Sequence, residues 1–224
     1  MLYDPPSSRG ADSGSARITD VSDELKKEKE TLKARITELE RENERLEADL
    51  IHDHLTGLKT RKFFEEELGI YLETIKKSRL SRRREWFGFR VLSVILFDAD
   101  YFKRLNDTHG HLVGDEALQK IASVVGGSLR EGDTAARWGG EEIIALLPGA
   151  SERDAVKKAE EIRREVEFIR LEDVSDLKLS VSAGVAQSES GISMDELVKR
   201  TDRALYHAKK RGRNRVSAYS ELGR

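Results

Sequence analysis

Residues 134–147 read TAARWGGEEIIALL, and upstream of them residues 91–103 read VLSVILFDADYFK. In the first stretch two apolar runs flank a glycine pair, which predicts a β-hairpin with strands at 134–138 and 143–147. The second stretch predicts a buried strand, 91–97, that ends in acidic residues. Because a sheet can bring a hairpin tip beside a strand end, carboxylates from the two stretches are expected to meet.

The rest of the chain alternates between helical and strand patterns. Helices are predicted in the stripe from Phe63 to Ile75 and at 115–129, 153–169 and 194–210; strands are predicted at 177–186 and, as a short edge strand, 216–219. The stretch after Asp100 is expected to be a polar loop. The resulting order, α-β-α-β-β-α-β-α, predicts an α/β fold with a mixed central sheet and flanking helices.

A heptad pattern precedes this domain. The seam consists of Leu25, Leu32, Leu39 and Leu46 at one position, and of Lys29, Ile36, Asn43 and Leu50 at the other. Leucine at d with mixed residues at a predicts a parallel two-stranded coiled coil, and therefore a homodimer. Asn43 at an a position favours the dimer in a fixed register. A lone, solvated, charged helix is the alternative.

Composition limits both the class of protein and its partners. The net charge is −2, so no overall basic field favours nucleic acid, and no cysteine is present for a disulfide or a thiolate. No apolar run is long enough to span a membrane, and no secretory signal is seen, so a soluble cytoplasmic protein is expected. Residues 1–20 contain Pro5 and Pro6 among small polar residues and are expected to form a disordered leader. The predicted organisation is thus leader 1–20, coiled coil 21–50, a globular domain 51–219 and a tail 220–224.

Four carboxylates are candidates for binding a divalent cation. Asp98 and Asp100 end the buried strand, and Glu141 and Glu142 lie at the hairpin tip. Hard oxygen ligands suit Mg²⁺, which also takes substrate phosphates as ligands. Ordinary turn carboxylates are the alternative. His109 and His111 lack a clear third ligand for a metal site.

Other polar residues have the chemistry to bind a nucleotide. Asn106 and Asp115 can recognise a guanine edge, because a carboxylate accepts from the ring N1–H and the exocyclic amine while an amide donates to the ring oxygen. A helix N-cap is the alternative for Asp115. Lys209 and Arg213 are candidates for holding a triphosphate. The alternative for this pair is a basic helix C-terminus favoured by the helix dipole.

Five linked motifs resemble the GGDEF family of diguanylate cyclases over about residues 51–219. They are HLTGL at 54–58, DADYFKRLND at 98–107, GH at 110–111 with GDE at 114–116, RWGGEE at 137–142, and ALYHAK at 204–209 through GRN at 212–214. The resemblance implies an enzyme that joins two GTP into cyclic di-GMP and releases two pyrophosphates, in a fold similar to that of nucleotide cyclases and polymerase palms. It also implies a bacterial cytoplasmic location.

The resemblance also implies the roles of individual residues. Asp98, Glu141 and the backbone carbonyl of Ala99 are implied as ligands of Mg²⁺ (or Mn²⁺), and Glu142 as a ligand of a second metal or as the base for the attacking 3′-hydroxyl. The implied guanine contacts are Asn106 and Asp115; the implied triphosphate contacts are Phe102, Lys103, Lys209 and Arg213; and Gly139 and Gly140 are implied to leave room for the nucleotide. Glu141, Glu142, Lys209 and Arg213 form the implied catalytic set.

Arg130 and Asp133 match the family's inhibitory RxxD motif, which implies that cyclic di-GMP binds there as product and inhibitor. Arg163 or Arg164, near Glu161, and Arg84 are candidates for a further arginine at that site.

Two alternatives to an active enzyme remain open. One is a degenerate GGDEF domain that acts as a non-catalytic receptor of GTP or cyclic di-GMP, and the other is a plain interaction module with vestigial motifs. An upstream sensor module is a further candidate partner, because no input domain is recognisable in these residues.

Overall fold

The structure is a computed structural model that describes the backbone of residues 12–80, 90–171, 174 and 176–223. Side chains of residues 12–25, 44–49 and 78–80 also lie outside the description. The chain divides into two units, one up to Ala48 and one from Asp49 onward, and each is described by itself.

The described part of the first unit is helical. It belongs to helix α1, Asp12–Ile51, which includes the whole predicted coiled-coil segment. The helix begins at Asp12, earlier than the boundary predicted at residue 21, because both prolines of the leader precede it. Helix α1 thus includes residues 12–20 of the predicted leader, while 1–11 lie outside the described residues, and the predicted domain boundaries stay a prediction. Leu32, Ile36 and Leu39 of the predicted seam are each at least half exposed.

The second unit is built on a six-stranded sheet. Its strands are β1 (Lys59–Thr60), β2 (Leu92–Ala99), β3 (Thr134–Arg137), β4 (Glu142–Pro148), β5 (Val181–Gln187) and β6 (Val216–Ala218). Their order is β1-β3-β4-β2-β5-β6. The outer pairs β1–β3 and β5–β6 are parallel and the inner pairs antiparallel, which confirms the predicted mixed sheet, the hairpin and the edge strand.

Helices cover both faces of this sheet. They are α2 (Arg61–Leu80), α3 (Phe102–His109), α4 (His111–Ser128), α5 (Glu152–Val166) and α6 (Met194–Lys210), and a short 3₁₀ helix spans Tyr219–Glu221. Alternate side chains of β2 point to opposite faces, so Phe97 packs in a core with α4 and α5, whereas Leu96 packs in one with α2 and α6. Burial on both faces explains why β2 is apolar from Val94 to Phe97, just before Asp98.

Two predictions after β2 are wrong. Helix α3 replaces the expected polar loop, and α4 begins at His111, so Asp115 lies inside a helix and cannot be its N-cap. The helical conformation is interrupted between α3 and α4 at Gly110. Its φ of 86° is positive, which glycine tolerates better than other residues. The predicted helix 194–210 is confirmed at both ends.

Candidate nucleotide and metal site

The centre of the candidate site is the point where β2 and β4 pair. Their antiparallel register places Asp98 directly opposite Glu142, and the amide of Ala99 donates to the carbonyl of Glu141 over 3.3 Å. The acidic strand end and the acidic hairpin tip are therefore neighbours, as the sequence predicted.

Lys209 reaches this acidic centre from α6. Its Nζ lies 2.6 Å from Oδ2 of Asp98, a side chain that is almost fully buried. Burial raises the pKa of Asp98, the Lys209 ammonium opposes that rise, and the charges of Glu141 and Asp100 add to it. Burial, followed by the charge of Asp98, likewise raises the pKa of Glu142. Ionised carboxylates so close together repel each other, and a bound cation would relieve that repulsion and stabilise their charged forms.

The two glycines of the turn differ in their surroundings. A Cβ at position 139 would lie 2.7 Å from Oε2 of Glu142, whereas a Cβ at Gly140 would meet nothing within 4 Å. Neither glycine adopts a positive φ, so the turn does not require them for backbone conformation. Gly139 thus leaves room for the Glu142 side chain; no protein atom crowds Gly140 within the described part of the chain.

The two aspartates of the Asp-Ala-Asp triplet have different partners. Asp100 accepts hydrogen bonds from Ser180 Oγ (2.8 Å), Ser182 Oγ (2.7 Å) and the amide of Asn214 (2.9 Å). These three hydrogen bonds stabilise the Asp100 carboxylate without a metal ion. Through them Asp100 connects β2 to β5 and to the 212–215 turn. The sequence did not predict a role for Ser180 and Ser182, because the only pattern they show is that they are two residues apart on a predicted strand.

Arg213 lies in the turn that Asp100 holds. Its guanidinium lies over the ring of Tyr101, with Cζ 4.6 Å from the ring centroid, in a cation–π contact. The same turn is also held by Arg163 of α5, which donates to Oδ1 of Asn214 (2.8 Å), and by Glu167, which follows α5 and accepts from Asn214 (2.6 Å). Arg163, one of the candidates for a further arginine at the inhibitory site, therefore contacts the turn that contains Arg213.

Asn106 and Asp115 lie on consecutive helices, α3 and α4. Oδ1 of Asn106 is buried and accepts no hydrogen bond within the described residues, and a Cβ at Gly114 would overlap it. The amide thus sits against the turn of α4 from which the exposed Asp115 projects. A buried acceptor without a partner costs stability. The predicted contact with the guanine ring oxygen would use the NH₂ group of Asn106, which is the donor of the amide. Phe102 and the exposed Lys103 occupy the first turn of α3.

Arg137 fixes the hairpin tip and was not among the predicted site residues. It donates to the carbonyls of Gly139 (3.2 Å) and Gly140 (3.0 Å), and its Nη1 lies 3.2 Å from Oδ2 of Asp53. Asp53 in turn accepts from the amide and hydroxyl of Thr56. The segment that follows α1 is thereby joined to the acidic turn.

Arg130 and Asp133 form a second charged site. Nε of Arg130 lies 3.2 Å from Oδ1 of Asp133, and its Nη2 donates to the carbonyl of Pro148 over 2.8 Å. Asp133 is only 4% exposed, whereas Arg130 is 66% exposed. Because Pro148 and Glu142 are the two ends of β4, this pair lies at the opposite end of that strand from the acidic centre. Arg84 lies outside the described residues.

No group of three or more His, Asp or Glu side chains forms a ready metal cage in the described ranges. The acidic centre nevertheless fits a divalent cation, because its donors are all oxygen atoms and Asp98 already holds the cationic Nζ of Lys209. A cleft of 590 Å³ lies elsewhere: Gln187, at the far end of β5, lines it with Arg200 and Tyr219. Within the described residues, no helix has the length and apolarity needed to cross a bilayer.

Comparison with known proteins agrees with this geometry. The family model "Diguanylate cyclase, GGDEF domain" matches residues 50–215. The chain is 40% identical over 183 residues to diguanylate cyclase DgcM of Escherichia coli K12, a match that covers 82% of this chain and 42% of DgcM. The chain spans half or less of the length of curated relatives such as DgcM.

Solved structures extend the similarity to three dimensions. The coiled coil and GGDEF domain of DgcB from Caulobacter crescentus, in complex with c-di-GMP, aligns with a TM-score of 0.71 and 31% identity, covering 92% of this chain and 99% of that one. The active GGEEF domain of a diguanylate cyclase from Vibrio cholerae aligns with a TM-score of 0.64 and 30% identity, covering 72% and 97% respectively. With its mixed sheet, its acidic hairpin tip and these relatives, the chain belongs to the GGDEF-domain family of diguanylate cyclases.

Proposed function

We propose that this chain is a diguanylate cyclase, which condenses two GTP into cyclic di-GMP and releases two pyrophosphates. The observation that carries the proposal is the pairing of Asp98 with Glu142 across β2 and β4, with Lys209 beside them. The homologous domains named as diguanylate cyclases support it.

Divalent metal belongs at the acidic centre. Asp98, Glu141 and the carbonyl of Ala99 would hold Mg²⁺ or Mn²⁺, which supplies charge stabilisation for the α-phosphate and the leaving pyrophosphate. Glu142 either helps to hold a second ion or accepts the proton of the attacking 3′-hydroxyl. Its raised pKa suits proton transfer at neutral pH better than that of an ordinary glutamate.

The nucleotide is held at both of its ends. Asn106 and Asp115 read the guanine edge, and the position of the Asn106 amide against the turn of α4 that carries the exposed Asp115 supports this role. Phe102, Lys103, Lys209 and Arg213 bind the triphosphate. Lys209 then exchanges or shares its contact with Asp98 when phosphate oxygens arrive, so the cation that balances Asp98 in the free protein becomes a phosphate ligand.

Two copies of the domain are needed for one product. Each copy holds one GTP, and the 3′-hydroxyl of one must attack the α-phosphate of the other in line. The coiled coil of α1 forms the homodimer that supplies a high effective concentration of the second domain. Support comes from the exposed seam residues Leu32, Ile36 and Leu39, which a single helix leaves in water.

Product inhibition is assigned to Arg130 and Asp133. Arg130 offers the face of its exposed guanidinium for stacking on a guanine of cyclic di-GMP, and its remaining N–H groups for a phosphate. Its contacts with Asp133 and the carbonyl of Pro148 hold the side chain in place before product binds. An upstream sensor that acts through α1 is proposed as the source of regulation.

Turnover of GTP tests the proposal. Purified protein with GTP and Mg²⁺ is expected to yield cyclic di-GMP and two pyrophosphates, at a rate per protein that rises with protein concentration. Glu142→Gln should abolish turnover, whereas Glu161→Gln, an exposed glutamate paired with Lys158, is the matched control. Bound GTP without any cyclic dinucleotide would favour the non-catalytic receptor and contradict the proposal.

A further inference from the structure

We propose that Tyr101 is a positioning residue of this site: its ring seats the guanidinium of Arg213 where Arg213 meets the triphosphate. The inference rests on the proposed function and adds to it a residue with no assigned role. The observation that carries it is the cation–π contact in which Cζ of Arg213 lies over the Tyr101 ring, 4.6 Å from its centroid.

Stacking suits a phosphate-binding arginine because it leaves the hydrogen-bond donors free. A ring attracts a guanidinium through its flat face, whereas the five N–H groups of arginine lie in the guanidinium plane and point outward. Arg213 can therefore remain on Tyr101 and still donate to phosphate oxygens. Lys209 differs, because its ammonium is already in an ion pair with Asp98.

The backbone of Tyr101 is held in an uncommon conformation. Its φ of 59° and ψ of 24° lie in the left-handed region, which bulky residues rarely adopt. Such strain persists where the surroundings over-determine it, and it concentrates at functional sites. Arg213 and Asn214 also have positive φ, at 62° and 46°. Two strained segments thus meet at the Tyr101–Arg213 contact.

Contacts around Asn214 limit the role that the Tyr101 ring can have in holding the turn. Asp100 binds the amide of Asn214, and Arg163 and Glu167 bind its side chain, so the backbone of the turn is fixed without Tyr101. Loss of the ring should therefore release the Arg213 side chain while the turn keeps its shape. A general structural role for Tyr101 predicts the opposite, a loss of fold stability.

Substitutions at Tyr101 and at a matched tyrosine separate these roles. Tyr101→Asn removes the ring but keeps a residue that tolerates the left-handed backbone, and Tyr101→Phe keeps the ring. Tyr206→Asn is the control, because Tyr206 is 56% exposed, against 58% for Tyr101, and has Lys210 over its ring at 4.7 Å. The probe is 3′-deoxy-GTP with Mg²⁺, which lacks the attacking hydroxyl and reports binding alone; KM and kcat for GTP are measured in parallel.

Tyr101→Asn is expected to weaken 3′-deoxy-GTP binding and to raise KM by about two- to fivefold, with little change in kcat or Tm. Tyr101→Phe should stay within about twofold of the unchanged protein, and Tyr206→Asn should show no effect. In an Arg213→Ala background, Tyr101→Asn should cost nothing further, because the ring acts only through Arg213.

Equal affinity of Tyr101→Asn and the unchanged protein would overturn the role of Tyr101 and leave the proposed function intact. A further loss in the Arg213→Ala background would also overturn it. Failure of the unchanged protein to bind 3′-deoxy-GTP at all would overturn the proposed function, and this inference with it.

Discussion

Asp53 and Arg137 are joined by an ion pair, with Nη1 of Arg137 3.2 Å from Oδ2 of Asp53 and 3.3 Å from Oδ1. Asp53 lies in the segment that follows α1, and Arg137 ends β3 and holds the carbonyls of Gly139 and Gly140. The pair is thus a direct connection between the entry of the domain and its acidic turn. Both side chains are partly buried.

Asp53→Asn should weaken that connection. The substitution keeps an oxygen for Thr56 but removes the charge that Arg137 pairs with, so we expect a loss of about 1 kcal/mol in unfolding free energy. The turn carbonyls lose their fixed donor, and kcat for GTP should fall about tenfold. Thermal unfolding and turnover measure the two effects. Glu73→Gln, in an exposed pair with Lys76, should change neither; equal behaviour of the two variants would contradict the connection.

Gly114→Ala should disturb the guanine pocket. The added Cβ would overlap Oδ1 of Asn106, so the amide must move, at a cost of about 1–3 kcal/mol in stability. KM for GTP should rise about tenfold, since one buried hydrogen bond to the base is lost. Gly127→Ala on the same helix is the control: its Cβ meets nothing within 4 Å, and it should gain about 0.5–1 kcal/mol. An unchanged KM for GTP in Gly114→Ala would contradict the assignment of Asn106 to the guanine pocket.

Glu142→Gln should stabilise the metal-free protein at neutral pH. Because burial, then Asp98, raises the pKa of Glu142 above its usual 4.5, the favourable contribution of this group is present below that value and is lost as pH rises through the raised pKa. In chelator, Tm of Glu142→Gln should exceed that of the unchanged protein by on the order of 2 °C at pH 8, and the difference should vanish near pH 4. Mg²⁺ should stabilise the unchanged protein more than the variant. A Tm difference independent of pH would argue against ionisation of the partly buried Glu142 as the cause.

Arg130→Ala should weaken inhibition by product. The ratio of the rates with and without added cyclic di-GMP reports the effect, and the concentration that halves the rate should rise at least about tenfold, because a stacked and charge-assisted contact is lost. Lys157→Ala, 61% exposed on α5, is the control and should leave the ratio unchanged. Inhibition that persists in Arg130→Ala would place the product elsewhere.

Activity should depend on the register of α1 if its coiled coil sets the geometry of the two domains. Seven residues inserted between Arg35 and Ile36 preserve the seam, whereas four residues shift it by about half a heptad. We expect the seven-residue insertion to leave turnover unchanged and the four-residue insertion to change it severalfold. The reason is that Lys29 and Asn43 weaken the seam, so that alternative packings of the two helices lie close in energy. A flat response across insertions would contradict signalling through α1.

Local patterns in the sequence were sufficient for most of the secondary structure. Helix α6 was predicted from Met194 to Lys210, as observed, because its apolar side recurs with helical period. Helix α3 was missed because Leu105 is its one buried residue and the rest are polar or partly exposed. A helix that buries so little has no stripe from which periodicity could predict it.

The roles of chemically identical residues could not be read from the chain. Asp98 and Asp100 are two positions apart and have the same side chain, yet Asp98 faces Glu142 and Lys209, whereas two serines and a backbone amide donate hydrogen bonds to Asp100. Which carboxylate is available to a metal depends on donors that come from distant strands. Asp53 and Arg137 were missed for the same reason, since neither carries a local signal of its partner.

The sequence by itself determined five of the six strands, most helices, the acidic hairpin tip and the heptad seam, because burial and periodicity are properties of neighbouring residues. Only the tertiary structure decided which side chains meet: Asp98 with Lys209, Arg213 with Tyr101, and Arg137 with Asp53. These contacts join residues far apart in the chain, and the pairing register of the sheet and the packing of helices against it bring them within bonding distance.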